Sequence, residues 1–273
     1  MTRVLTGWTA AFGLSVLLLA PSTALAQADD PAALKLAEPD FTLVGLPTSL
    51  RLPRFGSAFR VTHRFTRPLN GDFGEVLADF FGIDSGAQIG LEYRFGIVKN
   101  GQIGIHRNNN RTIEFFGQYS LLRQGAGAPV DISALATIDG TNNFKDSYSP
   151  ALGAIISRTV GDVAALYVEP IWVNNTNTLP KDVVDNNDTF MIGLGARIRV
   201  RPTVYLVGEF APRAAGHKPG VNHGSIAIEK RAGGHSFQLN FSNAFGTTMA
   251  QIARGGGAEN DWYLGFNISR KFF

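Results

Sequence analysis

The sequence predicts an all-β protein, an antiparallel up-and-down transmembrane β-barrel of about twelve strands with short turns at one end and longer loops at the other. Three observations predict it. Apolar and polar residues alternate with period two from Ala58 nearly to the last residue, which is the pattern of strands with one greasy and one wet face. The connections between these stretches alternate short and long. Finally, the inward parity carries the charges, so the wet face is an interior.

Residues 1–26 read as a secretory signal peptide. Arg3 supplies the positive start, Ala10 to Ala20 is apolar, and Ala24-Leu25-Ala26 is a small-residue cleavage site, with cleavage expected after Ala26. Its removal takes the formal charge from +3 to +2, which is far from the basic stripe of a nucleic-acid binder. With no Cys, the exported chain has no disulfide, thiolate metal site or covalent haem, and no cofactor is expected. After Gln27 no apolar run is long enough for a membrane helix. The 31 Gly and 20 Phe suit many strands with tight places and aromatic interfaces.

Residues 27–56 carry Pro31, Pro39, Pro47 and Pro53 and read as a periplasmic lead-in that packs at the barrel mouth, with Phe41 to Leu46 as its one short strand. Residues 57–273 are the barrel, with strands expected near 58–66, 87–96, 102–107, 112–122, 130–138, 151–160, 164–173, 189–200, 204–211, 223–231, 236–243 and 262–272. Most have the length that a tilted strand needs to cross hydrocarbon. Short turns with Asn-Gly, Gly-Asp, Pro and Gly-Gly chemistry fall at Ile97 to Gly101, Gln124 to Pro129, Gly161 to Val163, Arg201 to Thr203 and Ala232 to His235. Except for Asn108 to Arg111, the intervening connections are long. Trp262 to Phe273 alternates with only Arg270 interrupting its apolar face, and it ends on an aromatic residue, similar to the C-terminal signal by which bacterial outer-membrane barrels reach their assembly machinery. It is expected to be the strand that closes the ring, and outer-membrane lipid and that machinery are the expected partners.

Parity also sorts the side chains. Phe190, Ile192, Leu194, Ala196, Ile198 and Val200 share one face, and Arg197 and Arg199 the other. An arginine facing lipid at the midplane costs about 2–4 kcal/mol, so both belong in the lumen. The same argument places Arg60, Arg64, Glu92, Arg94, Glu114, Glu169, Glu209, Glu229 and Lys271 inward as lumen-lining residues.

The segments Phe59-Arg60-Val61-Thr62-His63-Arg64-Phe65, Phe80-Phe81-Gly82-Ile83-Asp84-Ser85-Gly86-Ala87-Gln88-Ile89-Gly90 and Leu121-Leu122-Arg123-Gln124 resemble the signatures of an uncharacterised family of exported bacterial β-barrel proteins. The resemblance runs from about Leu46 over most of the chain. It implies a barrel in the bacterial envelope and brings no catalytic residue and no ligand.

Several constellations are candidate sites. In the loop Arg67 to Gly86 a short helix over Phe73 to Phe81 either folds inward as a constriction, with Asp72, Asp79 and Asp84 as a negative lip, or covers the barrel rim. A second short helix with Met249, Ile252 and Ala253 on one side is expected before Gly255-Gly256-Gly257, which act as a flexible stop. His63 faces outward near one rim, but position 65 on the same face is Phe where a serine–histidine pair would want Ser, so no catalytic residue is assigned. Asp182, Asp185 and Asp188 fit no recognised calcium loop, and the other histidines lack metal-ligand spacing. The expectation is an outer-membrane barrel acting as a narrow, charge-lined channel for small polar solutes or as an envelope-structural protein. The alternatives are a lipid-interface hydrolase and a soluble periplasmic binding barrel.

Overall fold

The computed structural model describes residues 36–177 and 187–272. The signal peptide, Asp182, Asp185 and the terminal Phe273 lie outside the described residues.

All twelve expected strands form: β1 (Ser57–Phe65), β2 (Ala87–Val98), β3 (Gly101–Asn108), β4 (Ile113–Leu122), β5 (Asp131–Gly140), β6 (Asp146–Val160), β7 (Ala164–Val173), β8 (Thr189–Arg201), β9 (Val204–Ala211), β11 (His223–Ala232), β12 (His235–Ser242) and β13 (Tyr263–Phe272). A thirteenth, β10 (Arg213–Gly216), pairs only with β8. It continues the line of β9 past Pro212, which has no amide proton for the ladder but accepts from Ile192 N at 3.0 Å.

Every ring neighbour is antiparallel, and β13 pairs with both β12 and β1, from Ser57↔Phe272 to Arg64↔Gly265. The cylinder therefore closes, and its backbone amides have partners without an open edge. β6 begins at Asp146, earlier than its periodicity suggests, because Asn142, Asn143 and Phe144 turn the chain at positive φ and let Ser149 and Pro150 pair with Asp139 and Ile138.

Side chains alternate as expected along each strand. Leu91, Leu152, Leu194, Leu206, Ile226 and Leu239 are exposed on the outside, while Arg60, Glu92, Gln118, Arg197 and Glu229 are buried inside. A belt of large exposed aliphatics around a closed sheet is a surface made for lipid.

The interior is filled. Residues 36–52 pass up inside the ring from the end that carries the short turns, with Leu43, Val44, Leu46 and Thr48 nearly fully buried, and Pro53 to Phe55 lie exposed at that end. The short strand expected over Phe41 to Leu46 does not form. Thr48 N donates to Phe41 O and Leu43 N to Leu46 O, both at 2.8 Å, which folds this stretch into a tight reversal. A strand there would need a neighbour in the sheet, and every ring strand already has two.

From the long-loop end a helix, Met249–Arg254, descends to meet it. Met249, Ala250, Ile252 and Ala253 are buried in one apolar cluster with Leu43 and Leu46 of the N-terminal segment and Ile155, Ile171 and Met191 of the wall. The other loop helix, Phe73–Ala78, buries none of its residues.

Candidate functional site: a lumen closed from both ends

The inner wall has two halves. Ile155 and the apolar residues between Ala165 and Val207 on β6 to β9 supply most of an apolar face, against which Leu43 and Leu46 pack, broken by the buried Glu169, Arg197 and Glu209. Strands β1 to β4 supply a more polar face, and here Arg60, Arg64, Glu92, Arg94 and Glu114 gather. Arg94 Nε donates to Glu92 Oε1 at 2.5 Å, Arg60 lies 3.8 Å from the same carboxylate, and His106 Nδ1 lies 3.7 Å from it. One carboxylate thus serves three potential cations, a network consistent with the burial of all four side chains.

The wall grips the backbone of the N-terminal segment, residues 36–56. Glu209 is aimed at the tip of the reversal: Oε2 accepts from the amides of Val44, Gly45 and Leu46 at 2.9, 3.0 and 3.0 Å, and Oε1 from Gly45 at 2.9 Å. His223 Nε2 lies 2.9 Å from the same Oε1. Three successive amides converging on a carboxylate form an anion nest.

The carbonyls are met from the other sides. Arg197 Nη2 donates to Thr42 O at 2.6 Å and to Glu229 Oε2 at 2.9 Å. Gln238 Nε2 donates to Leu43 O at 2.8 Å, and Asn267 Nδ2 to Val44 O at 3.1 Å, where Arg60 and Arg64 also donate. Lower down, Gln118 donates to Thr48 O at 2.9 Å and Gln102 to Leu50 O at 3.1 Å.

The remaining expected lumen residues are placed as follows. Glu114 accepts from Met249 N at 2.8 Å, so it holds the loop helix. Glu169 is fully buried, and neither of its carboxylate oxygens has a hydrogen-bond partner among the described residues. Lys271 stands 5.5 Å over the Phe41 ring. Arg199 stays at the turn end, donating to Pro202 O at 3.2 Å.

Asp72, Asp79 and Asp84 remain on the exposed loop. Asp72 caps the Phe73–Ala78 helix, and Asp79 pairs with Arg67. The element that enters the lumen is the other helix. Thr248 caps it with Gln251 in a capping box and donates to Asp139 Oδ2 at 2.6 Å. Thr248-Met249-Ala250-Gln251 is the sequence signal for that helix start. Its docking partners Glu114 and Asp139 lie too far away in sequence to read.

The two intruding elements touch. A Cβ added to Gly45 at the tip would lie 3.0 Å from Ile252 Cδ1 of the loop helix. Two spaces border these elements among the described residues. One, of about 30 Å³, lies between the N-terminal segment and the polar wall, bordered by Gly45, Arg60, Glu92, Arg94, Glu114 and Met249. The second, of about 290 Å³, lies at the loop end above the loop helix. Burial lowers the Arg254 guanidinium in its lining from its ordinary value, and Asp139 opposes that shift. His63 faces outward as expected and packs its ring on Phe266 and Phe65, at 4.7 and 4.5 Å between centroids.

Residues 43–272 match a family model described as a membrane-bound β-barrel domain, DUF5777. The chain belongs to this family. Membership and the closed ring together make it a membrane-bound β-barrel, and the N-terminal segment from Leu43 onward falls within the family's domain. No curated protein matches in sequence. Among solved structures, the NanC porin is similar with a TM-score of 0.52 at 5% identity, over 80% of this chain and 99% of that one. The KdgM porin is similar at 0.48 and 6%, over 80% and 99%. The outer membrane phospholipase A of Escherichia coli is similar at 0.46 and 11%, over 86% and 97%. At these identities the NanC likeness concerns the fold alone: an outer-membrane porin barrel.

Proposed function

We infer that the protein is a gated route for small polar solutes across the bacterial outer membrane, with its long loops outside and its short turns in the periplasm, and that the conformation described here is the shut one. The observation that carries this reading is the seam between the N-terminal segment and the charged wall. Along it the segment is held by side-chain-to-backbone hydrogen bonds, from Arg60, Arg64, Gln102 and Gln118 among others. Water can replace each of these when the segment shifts.

The seam already encloses a space of about 30 Å³, room for a water molecule. The opposite, apolar wall gives the segment a surface to stay against while the polar side opens. Catalysis is not part of the reading, because His63 is packed between two phenylalanines and its Nδ1 has no hydrogen-bond partner among the described residues.

Planar-bilayer recording tests it. The ring strands pair without residues 36–52, so a variant lacking them is expected to insert and give steady current steps, where the full chain gives only rare, brief ones. If neither protein conducts, the route is excluded and a purely envelope-structural barrel is left.

A further inference from the structure

The loop-end cavity has a composition of its own. Its volume, about 290 Å³, sits at the low end of small-molecule pockets, which run from roughly 300 Å³ upward. Gln88, Asn110, Asn243 and Gln251 line it with carboxamides, Phe245 and Tyr263 with two rings set edge to face at 5.2 Å, and Arg254 with the one cation among the described lining residues. No Asp or Glu is among its described lining residues.

Each part selects for something. A carboxamide offers donors and an acceptor together, which matches a hydroxyl group, itself both. Aromatic surfaces take the C–H face of a saturated ring, and a guanidinium matches a carboxylate through two parallel hydrogen bonds. A cationic solute finds no counter-charge among the described lining residues, and a purely apolar one would strip water from four amides.

We propose that this cavity binds a small hydroxylated organic anion, a sugar acid in size and chemistry. Its position gives the site a consequence. The floor is the loop helix that shuts the lumen, and two of the lining side chains fasten that helix. Gln251 Oε1 accepts from Thr247 N at 2.9 Å, Gln88 Nε2 at 3.1 Å and Asn108 Nδ2 at 3.3 Å, while Arg254 Nε donates to Thr176 O at 2.9 Å. A ligand hydroxyl and carboxylate on Gln251 and Arg254 compete for these bonds, so occupancy loosens the helix from the wall. This second step rests on the gated-route reading; binding itself does not.

Isothermal titration of the full-length protein folded in detergent, with D-glucuronate, D-glucose and D-glucosamine as probes, separates the two. Glucuronate is expected to bind, glucose about tenfold or more weakly, and glucosamine not measurably. Arg254→Gln is expected to bring glucuronate down to the level of glucose. Gly257→Trp fills the cavity from a position where an added Cβ meets nothing within 4 Å, and it is expected to lose all binding while keeping the heat-modifiable gel migration of a folded barrel. Should Gly257→Trp fail to fold, Arg254→Gln decides alone. Absence of glucuronate binding to the wild type, equal binding of glucosamine, or an unchanged preference in Arg254→Gln overturns the proposal. Glucuronate binding to a protein that never conducts would leave the site standing and remove only its role in passage.

Discussion

Arg197 and Glu229 are both fully buried inside the ring and bonded to each other at 2.9 Å, with Thr42 O and Gln238 completing the set. Burying two charges is costly, and their attraction offsets that cost only while both are present. Glu229→Ala leaves a buried guanidinium without a counter-charge and is expected to lower stability by about 3–5 kcal/mol. Arg197→Met with Glu229→Leu removes both charges and is expected to recover most of that loss. Urea unfolding in lipid vesicles measures the difference; single and double variants of equal stability would show that the pair is not an energetic unit. Strand parity alone placed both residues in the lumen, because a period of two leaves an arginine only two choices and lipid excludes one. What parity cannot supply is the partner: Thr42 lies 155 positions from Arg197, and nothing in either neighbourhood signals the other.

At the level of elements, the strands were legible and the N-terminal segment was not. Each ring strand must satisfy lipid on one side and a wet interior on the other, and that double demand is written as alternation. Residues 36–56 meet the wall with backbone more than with side chains, so their sequence carries one short apolar run, Leu43 to Leu46, and three prolines but no sustained period. The clearest trace of them is in the strands they pass. Gly195 in β8 lies where a Cβ would come within 2.1 Å of Leu43 Cδ1, and Gly96 in β2 where it would come within 2.1 Å of Pro53 O. These glycines make room for close approach of another segment. Gly195→Val is accordingly expected to displace the tip of the segment and leave the barrel intact, raising hydrogen–deuterium exchange of residues 41–50 by about tenfold or more. Unchanged exchange would mean that the segment does not sit against β8. The loop helices show the same division. Both were readable from local spacing, but which of them enters the lumen depends on Glu114 and Asp139, which hold Met249 and Thr248 from across the ring.

Over the whole molecule, a ring of twelve strands is wider than side chains alone fill and narrower than an open porin. Here chain from both ends of the cylinder takes up the difference. The N-terminal segment rises from the turn end, the Met249–Arg254 helix descends from the loop end, and Gly45 and Ile252 meet between them. This arrangement turns a charged lumen into a set of attachment points for the two intruding elements.

The central claim is that residues 36–52 occupy the lumen. The protein has no cysteine, so single-cysteine variants report cleanly on access. Thr48 is fully buried within the ring, whereas Glu75 stands exposed on the outer loop. The labelling rate of Thr48→Cys with a membrane-impermeant maleimide, compared with Glu75→Cys on the folded, membrane-inserted protein, is therefore the most direct test. Protection of Thr48→Cys until the barrel is unfolded, beside rapid labelling of Glu75→Cys, is the predicted result; equal, rapid labelling of both would contradict it.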